Sequence, residues 1–233
     1  MKTDGQAKII GDVDSKLRRF YGELFVGDKL PHGNKKNPLN ELLFIICSNQ
    51  TSAGQSLVTY RSLRRRFPRI ENLAGAGPVA IERVVRVGGR QSWKARFIHK
   101  ILRDVVRLFG CPPTLAPLRQ MDDRECESAL KSLDGVGSKT ARCVMMYSLA
   151  REVFPVDTHC RRICRRLGWL AEGDNDDNLQ DRIPGPLRYS LHVTMLSLGR
   201  EICTAKAPPN CDMCPIGNLC PKIGVAKAGG SAD

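Results

Sequence analysis

Apolar residues recur at intervals of three and four in the stretches 13–25, 39–48, 53–66, 78–86, 93–109, 123–132, 138–150, 158–167 and 186–201. Strict alternation of apolar and polar residues is sustained nowhere, so the pattern predicts helices and no sheet. Turn-forming residues separate the stretches: Gly33 to Pro38, Phe67 to Pro68, Gly75 to Pro78, Gly88 to Gly89, Cys111 to Pro113, Gly135 to Gly137 and Gly173 to Pro186. Helices of this length with short connections predict an all-α architecture. The end of the chain, 224–233, is small and polar and is expected to be a disordered tail.

Composition narrows the class. With 233 residues, 42% hydrophobic and 26% charged, the chain has the make-up of a globular protein with a sizeable core. No apolar run approaches the roughly 18 residues of a membrane span. Lysine and arginine number 37 against 24 acidic residues, a net charge of +13. A polyanion is the natural partner of such a charge, although a ribosomal or membrane-surface protein has the same balance. The opening MKTDGQAKII contains neither the apolar core nor the cleavage site of a secretion signal, so an intracellular location is expected.

Cysteine placement carries the first chemical signal. Cys203, Cys211, Cys214 and Cys220 lie at intervals of seven, two and five residues, too tightly grouped for core residues. In an intracellular chain such a group reads as metal-binding rather than disulfide-bonded. Zinc sites commonly pair two Cys-x2-Cys units or add histidines; one such unit flanked by two single cysteines favours a [4Fe-4S] cluster. The other six cysteines, Cys47, Cys111, Cys126, Cys143, Cys160 and Cys164, read as small buried hydrophobes.

The second signal is Leu133-Asp134-Gly135-Val136-Gly137-Ser138-Lys139. Two glycines around one apolar residue make a tight hairpin with unobstructed amides, and a helix begins directly after it. Amides and the positive helix end together form an anion site. Lys139 sits in that first turn, where the dipole opposes an ammonium; burial would add desolvation, and both effects lower its pKa toward that of a free, nucleophilic amine. The third signal is Val156-Asp157-Thr158-His159. Asp157 occupies an N-cap position, and the same carboxylate is placed to stabilise developing positive charge or to take up a proton. His159 reads as a support for the turn.

The order of Ser48-Asn49-Gln50-Thr51, LDGVGSKTA, VDTH and four C-terminal cysteines resembles endonuclease III, of the helix-hairpin-helix (HhH-GPD) DNA glycosylase superfamily, over about residues 37 to 221. The resemblance implies a six-helix domain at 37–151 with the hairpin, a cluster domain at 1–36 and 152–223, and an active cleft between them. It implies a monomeric enzyme of base excision repair that binds double-stranded DNA carrying damaged bases or abasic sites and excises oxidised pyrimidines. Lys139 then matches the Schiff-base lysine and Asp157 the catalytic aspartate, which together imply abasic-site lyase activity as well. Gln50 matches the residue that enters the duplex beside the vacated base. DNA contacts are implied for Arg90, Gln91 and Ser92 of the wedge loop, for Gly135, Val136, Gly137 and Ser138 of the hairpin, and for Lys206. Cys203, Cys211, Cys214 and Cys220 match the cluster ligands. Two departures bear on substrate: Thr51-Ser52-Ala53 replaces an Ala-Thr-Asp sequence, and Arg90-Gln91-Ser92 follows Gly89 where the family has a leucine and an aromatic residue. An abasic-site lyase, a mismatch uracil or thymine glycosylase, and a damaged-DNA-binding homologue with weak catalysis are the alternatives.

Overall fold

The computed structural model describes residues 2–22, 36–86, 90–205 and 208–226. Among them the regular structure is helical throughout, as the periodicity predicts. Eleven α-helices follow in order: α1 (Lys2–Phe20), α2 (Pro38–Ser48), α3 (Ala53–Arg66), α4 (Ile70–Ala74), α5 (Pro78–Val84), α6 (Gln91–Phe109), α7 (Asp123–Lys131), α8 (Ser138–Leu149), α9 (Thr158–Arg166), α10 (Asn178–Arg182) and α11 (Gly185–Glu201). A 3₁₀ turn, Ala116–Gln120, precedes α7. The chain divides into two compact units, one of residues 31–151 and one joining 1–30 to 152–233.

In the 31–151 unit, α2 is the central element, packed by α3, α6 and α8. Seven consecutive side chains from Glu41 to Cys47 are buried, so α2 is covered on all sides rather than along one stripe. Its start is fixed locally: the Asn37 side chain accepts from the amides of Leu39 (3.0 Å) and Asn40 (3.1 Å), and Pro38 has no amide to satisfy. Helix α7 opens on a reciprocal capping box between Asp122 and Glu125. Helices α7 and α8 are tied across the hairpin between them by Arg142 and Glu127, whose charged groups are 3.0 Å apart.

In the second unit, α1 and α9 pack on α11. Ile10, Val13 and Leu17 of α1 are fully buried, each contributing roughly 2 kcal/mol. Asp14 of α1 accepts a hydrogen bond from Ser190 of α11.

The periodicity misplaces some boundaries. Helix α1 begins at Lys2 rather than near residue 13, because Ile10 finds a tertiary partner that the polar, glycine-containing start did not reveal. Helices α4 and α10 are single turns anchored by one buried leucine each, Leu73 and Leu179, too short for a repeat to register. At the C-terminus, Ile223 donates its amide to the Arg166 carbonyl at 3.1 Å, so the chain is still held beside α9 there; 227–233, most of the expected tail, lies outside the described residues.

Candidate functional site

The hairpin between α7 and α8 is built from its apolar residues outward. Leu133 and Val136 are buried at 0% and 5% exposure and anchor it. Gly135 has φ of 74°, and a Cβ there would fall 1.5 Å from Cζ of Phe97, whose ring lies against the turn. The Val136 amide donates to the Leu133 carbonyl at 3.0 Å. Val136, expected among the DNA contacts, thus has its amide turned inward and its side chain buried. The amides of Gly135, Gly137 and Ser138 bond to no group among the described residues, which leaves them open to an anion. The two glycines serve different ends, because a Cβ on Gly137 meets open space. Gly135→Ala is expected to destabilise the fold by about 2 kcal/mol or more. Gly137→Ala should change stability by less than about 1 kcal/mol yet weaken duplex binding, as read by thermal melting and fluorescence anisotropy. Equal effects of the two on melting would contradict this division.

Lys139 is the second residue of α8, and it is exposed. The burial expected to lower its pKa is therefore not supplied by the chain itself. What the fold provides is the position, one residue beyond the three amides and at the positive end of α8.

The end of α2 and the start of α6 meet in the same unit. Gln50 and Arg90 are both non-glycine residues in the left-handed conformation, with φ of 53° and 48°. The Arg90 guanidinium donates to Oε1 of Gln50. Gln91 opens α6, and the Ser92 hydroxyl donates to Glu82. Lys94, one turn on, is completely buried and donates to the Thr51 hydroxyl, which itself donates to the Asn49 carbonyl at 3.1 Å. Burial depresses its pKa; the Cys47 thiol opposes the shift and Arg90 adds to it. Lys94 thus holds the Gln50 turn from beneath, a role its place in a helical pattern did not disclose. Gly88 and Gly89 lie outside the described residues.

In the other unit, Asp157 caps α9, accepting from the Cys160 amide at 2.8 Å. The segment leading to it is pinned by His192 of α11, whose Nδ1 lies 2.9 Å from the Pro155 carbonyl oxygen. His159 supports the turn through Arg162, whose Nη2 lies 3.1 Å from the His159 ring and donates to the carbonyls of Gly199 (2.7 Å) and Cys203 (2.8 Å). A side chain at Gly199 would collide with His159, its Cβ only 2.6 Å from that of the histidine.

All ten cysteines are free thiols. Cys203, Cys211, Cys214 and Cys220 line one hollow, with Ile163, Leu198, Ile202 and Ile216 as its apolar wall. Short turns bring them together: the Cys214 amide donates to the Cys211 carbonyl and the Gly217 amide to that of Cys214. A Cβ at Gly217 would lie 2.9 Å from the Cys211 carbonyl oxygen, so the turn closes only around glycine. Arg166 donates to the Cys203 sulfur at 3.0 Å and the Lys222 amide to that of Cys220 at 3.4 Å. Burial raises the Cys214 pKa, and the charges of the other three thiols raise it further. Burial raises the Cys220 pKa as well, and buried thiols that resist ionising are ones that a bound cation would relieve. Among the described residues no three His, Cys, Asp or Glu side chains are arranged to hold a metal ion. Lys206, expected to contact DNA from this loop, lies outside the described residues.

Comparison with known proteins decides the family. Residues 43–186 match the HhH-GPD superfamily of base excision DNA repair proteins. The chain belongs to that superfamily. The matched span contains Gln50, Arg90, the hairpin, Lys139 and Asp157, while the four C-terminal cysteines lie beyond it. A candidate DNA glycosylase of Arabidopsis thaliana is 31% identical over 76% of this chain, which spans 61% of that protein's length. Endonuclease III of Sulfolobus acidocaldarius is 27% identical over 81% of this chain and 83% of its own. Among solved structures, a trapped endonuclease III–DNA covalent intermediate superposes with a TM-score of 0.73 over 90% of this chain and 92% of that one, at 22% identity. The last likeness establishes that this HhH-GPD member has the endonuclease III fold.

Proposed function

We propose that this HhH-GPD protein is a bifunctional DNA glycosylase and abasic-site lyase that excises oxidised pyrimidines from double-stranded DNA. The observation that carries this reading is the exposed primary amine of Lys139 directly behind three backbone amides open to a phosphate. A base cannot be attacked inside the stack, so the nucleotide must be everted, and the cost is offset by gripping the backbone. The Lys139 amine then attacks C1′; the glycosidic bond breaks and the base leaves with its electron pair. Loss of a proton from nitrogen and opening of the sugar give an imine, and removal of a C2′ proton expels the 3′ phosphate. Asp157 stabilises positive charge on the sugar and accepts a proton. Bound DNA supplies the desolvation that the free chain does not give Lys139, so the amine loses its proton more readily in the complex. Borohydride reduction of the imine on abasic duplexes tests the reading: a covalent adduct is expected, and its absence despite tight binding would identify a damage-binding protein instead.

The four cysteines fit an iron-sulfur cluster. Zinc sites commonly pair two Cys-x2-Cys units or add histidines, whereas one such unit flanked by two single cysteines, all four lining one apolar hollow, suits a cubane that spreads its thiolates over separate irons. When bound, the cluster supplies folding energy to this loop. Purified protein is expected to contain iron and acid-labile sulfide in equal amounts, and Cys214→Ser to lose both and melt at lower temperature. Zinc in place of iron would overturn the assignment.

A further inference from the structure

Helix α6 presents one row of side chains to the hairpin. Phe97, stacked on Trp93 with ring centres 4.5 Å apart, lies over Gly135. One turn on, the Lys100 ammonium is ion-paired with the Asp134 carboxylate, and one turn further Oδ2 of Asp104 accepts from the Asp134 amide at 3.2 Å. Asp104 has a cation of its own, Arg107, at 3.1 Å. The Lys100 pair is not what holds the turn. Buried Leu133 and Val136, the Phe97 ring and the bond to Asp104 do that, whereas the Lys100 and Asp134 side chains are 62% and 45% exposed, a setting in which an ion pair contributes little to stability. What the pair changes is charge. Asp134 directly precedes Gly135, the first of the three open amides, so its carboxylate stands where it repels a phosphate.

We infer that Lys100 is a binding determinant that acts through Asp134: its ammonium cancels the carboxylate and so sets how tightly the hairpin takes a DNA phosphate. The inference rests on the proposed grip of the hairpin on the duplex backbone and names the residue that controls its strength. At the effective dielectric of a protein surface, one uncancelled charge about a residue away from a phosphate costs a few-fold to about tenfold in affinity. Both side chains are exposed, so the effect fades as added salt shortens the screening length. Two other roles for the same lysine differ in their consequences. If Lys100 only held the shape of the hairpin, removing the Asp134 charge would break the pair and weaken binding just as removing Lys100 does. If Lys100 left Asp134 to meet a phosphate itself, its loss would not be repaired by a change at Asp134.

The test is fluorescence anisotropy on one abasic duplex, at low and at moderate salt, with Lys100→Gln, Asp134→Asn and the double variant. At low salt Lys100→Gln is expected to weaken binding about fivefold, Asp134→Asn to bind at least as tightly as wild type, and the double variant to return to within about twofold of wild type, with melting temperatures unchanged. Arg69→Gln removes the cation of another exposed pair, Arg69 and Glu71 at 3.7 Å, and controls for net charge; it should change affinity less than about twofold. Weaker binding by Asp134→Asn, a double variant as weak as Lys100→Gln, or an effect of Arg69→Gln as large as that of Lys100→Gln overturns the inference. Borohydride trapping on the same duplex keeps the two readings apart. Adducts without this affinity pattern sink the role of Lys100 alone, the pattern without an adduct sinks the lyase alone, and a wild-type protein that binds no duplex sinks both.

Discussion

Lys139→Gln is expected to abolish the borohydride-trapped adduct and to lower strand cleavage at abasic sites by at least about 10³-fold, while duplex affinity stays within a few-fold of wild type. Glutamine keeps length and polarity but has no lone pair on nitrogen suited to attack C1′. The residue is exposed and its helix is anchored elsewhere, by the buried run from Ala141 to Ser148, so the substitution leaves the fold intact. Affinity is expected to be preserved because the proposed grip, the amides of Gly135, Gly137 and Ser138, is not touched by the change. Single-turnover cleavage and anisotropy on the same abasic duplex check both halves. Cleavage that persists would move the nucleophile to another amine.

Asp157→Asn should lower single-turnover base release by about 10²- to 10⁴-fold without loss of stability. Asparagine is as good an N-cap as aspartate, so the bond to the Cys160 amide survives the change. The carboxylate's charge and its ability to accept a proton do not. Paired measurement of melting temperature and excision rate therefore separates two roles that coincide on one side chain. A variant that melts as wild type and excises at the wild-type rate leaves Asp157 with capping alone.

How far the molecule was legible beforehand depended on whether the signal was local. Spacing alone marked helices with one apolar face, such as α6, and the cap residue Asp157 stood where a side-chain oxygen satisfies a first-turn amide. The hairpin was legible because glycine at φ of 74° is required by the turn itself. Features that depend on distant partners were not. Trp93 has no mark in a helical pattern that separates an exposed stacking ring from a core residue, and Lys94 reads as a surface lysine although it is fully buried against Thr51. The burial expected of Lys139 failed for a related reason, since position in a first turn is local but solvent exposure is not.

Helix α1 carries one more consequence. Its apolar residues Ile10, Val13 and Leu17 are buried in the unit completed by α11, whose first residue is Gly185, whereas α2 to α8 form a continuous stretch. As the polypeptide emerges from the ribosome, the middle stretch can mature while the first helix still waits for a companion not yet synthesised. That unit is thus completed by joining sequence-distant segments, a slow, high-contact-order closure in which α1 depends on α11.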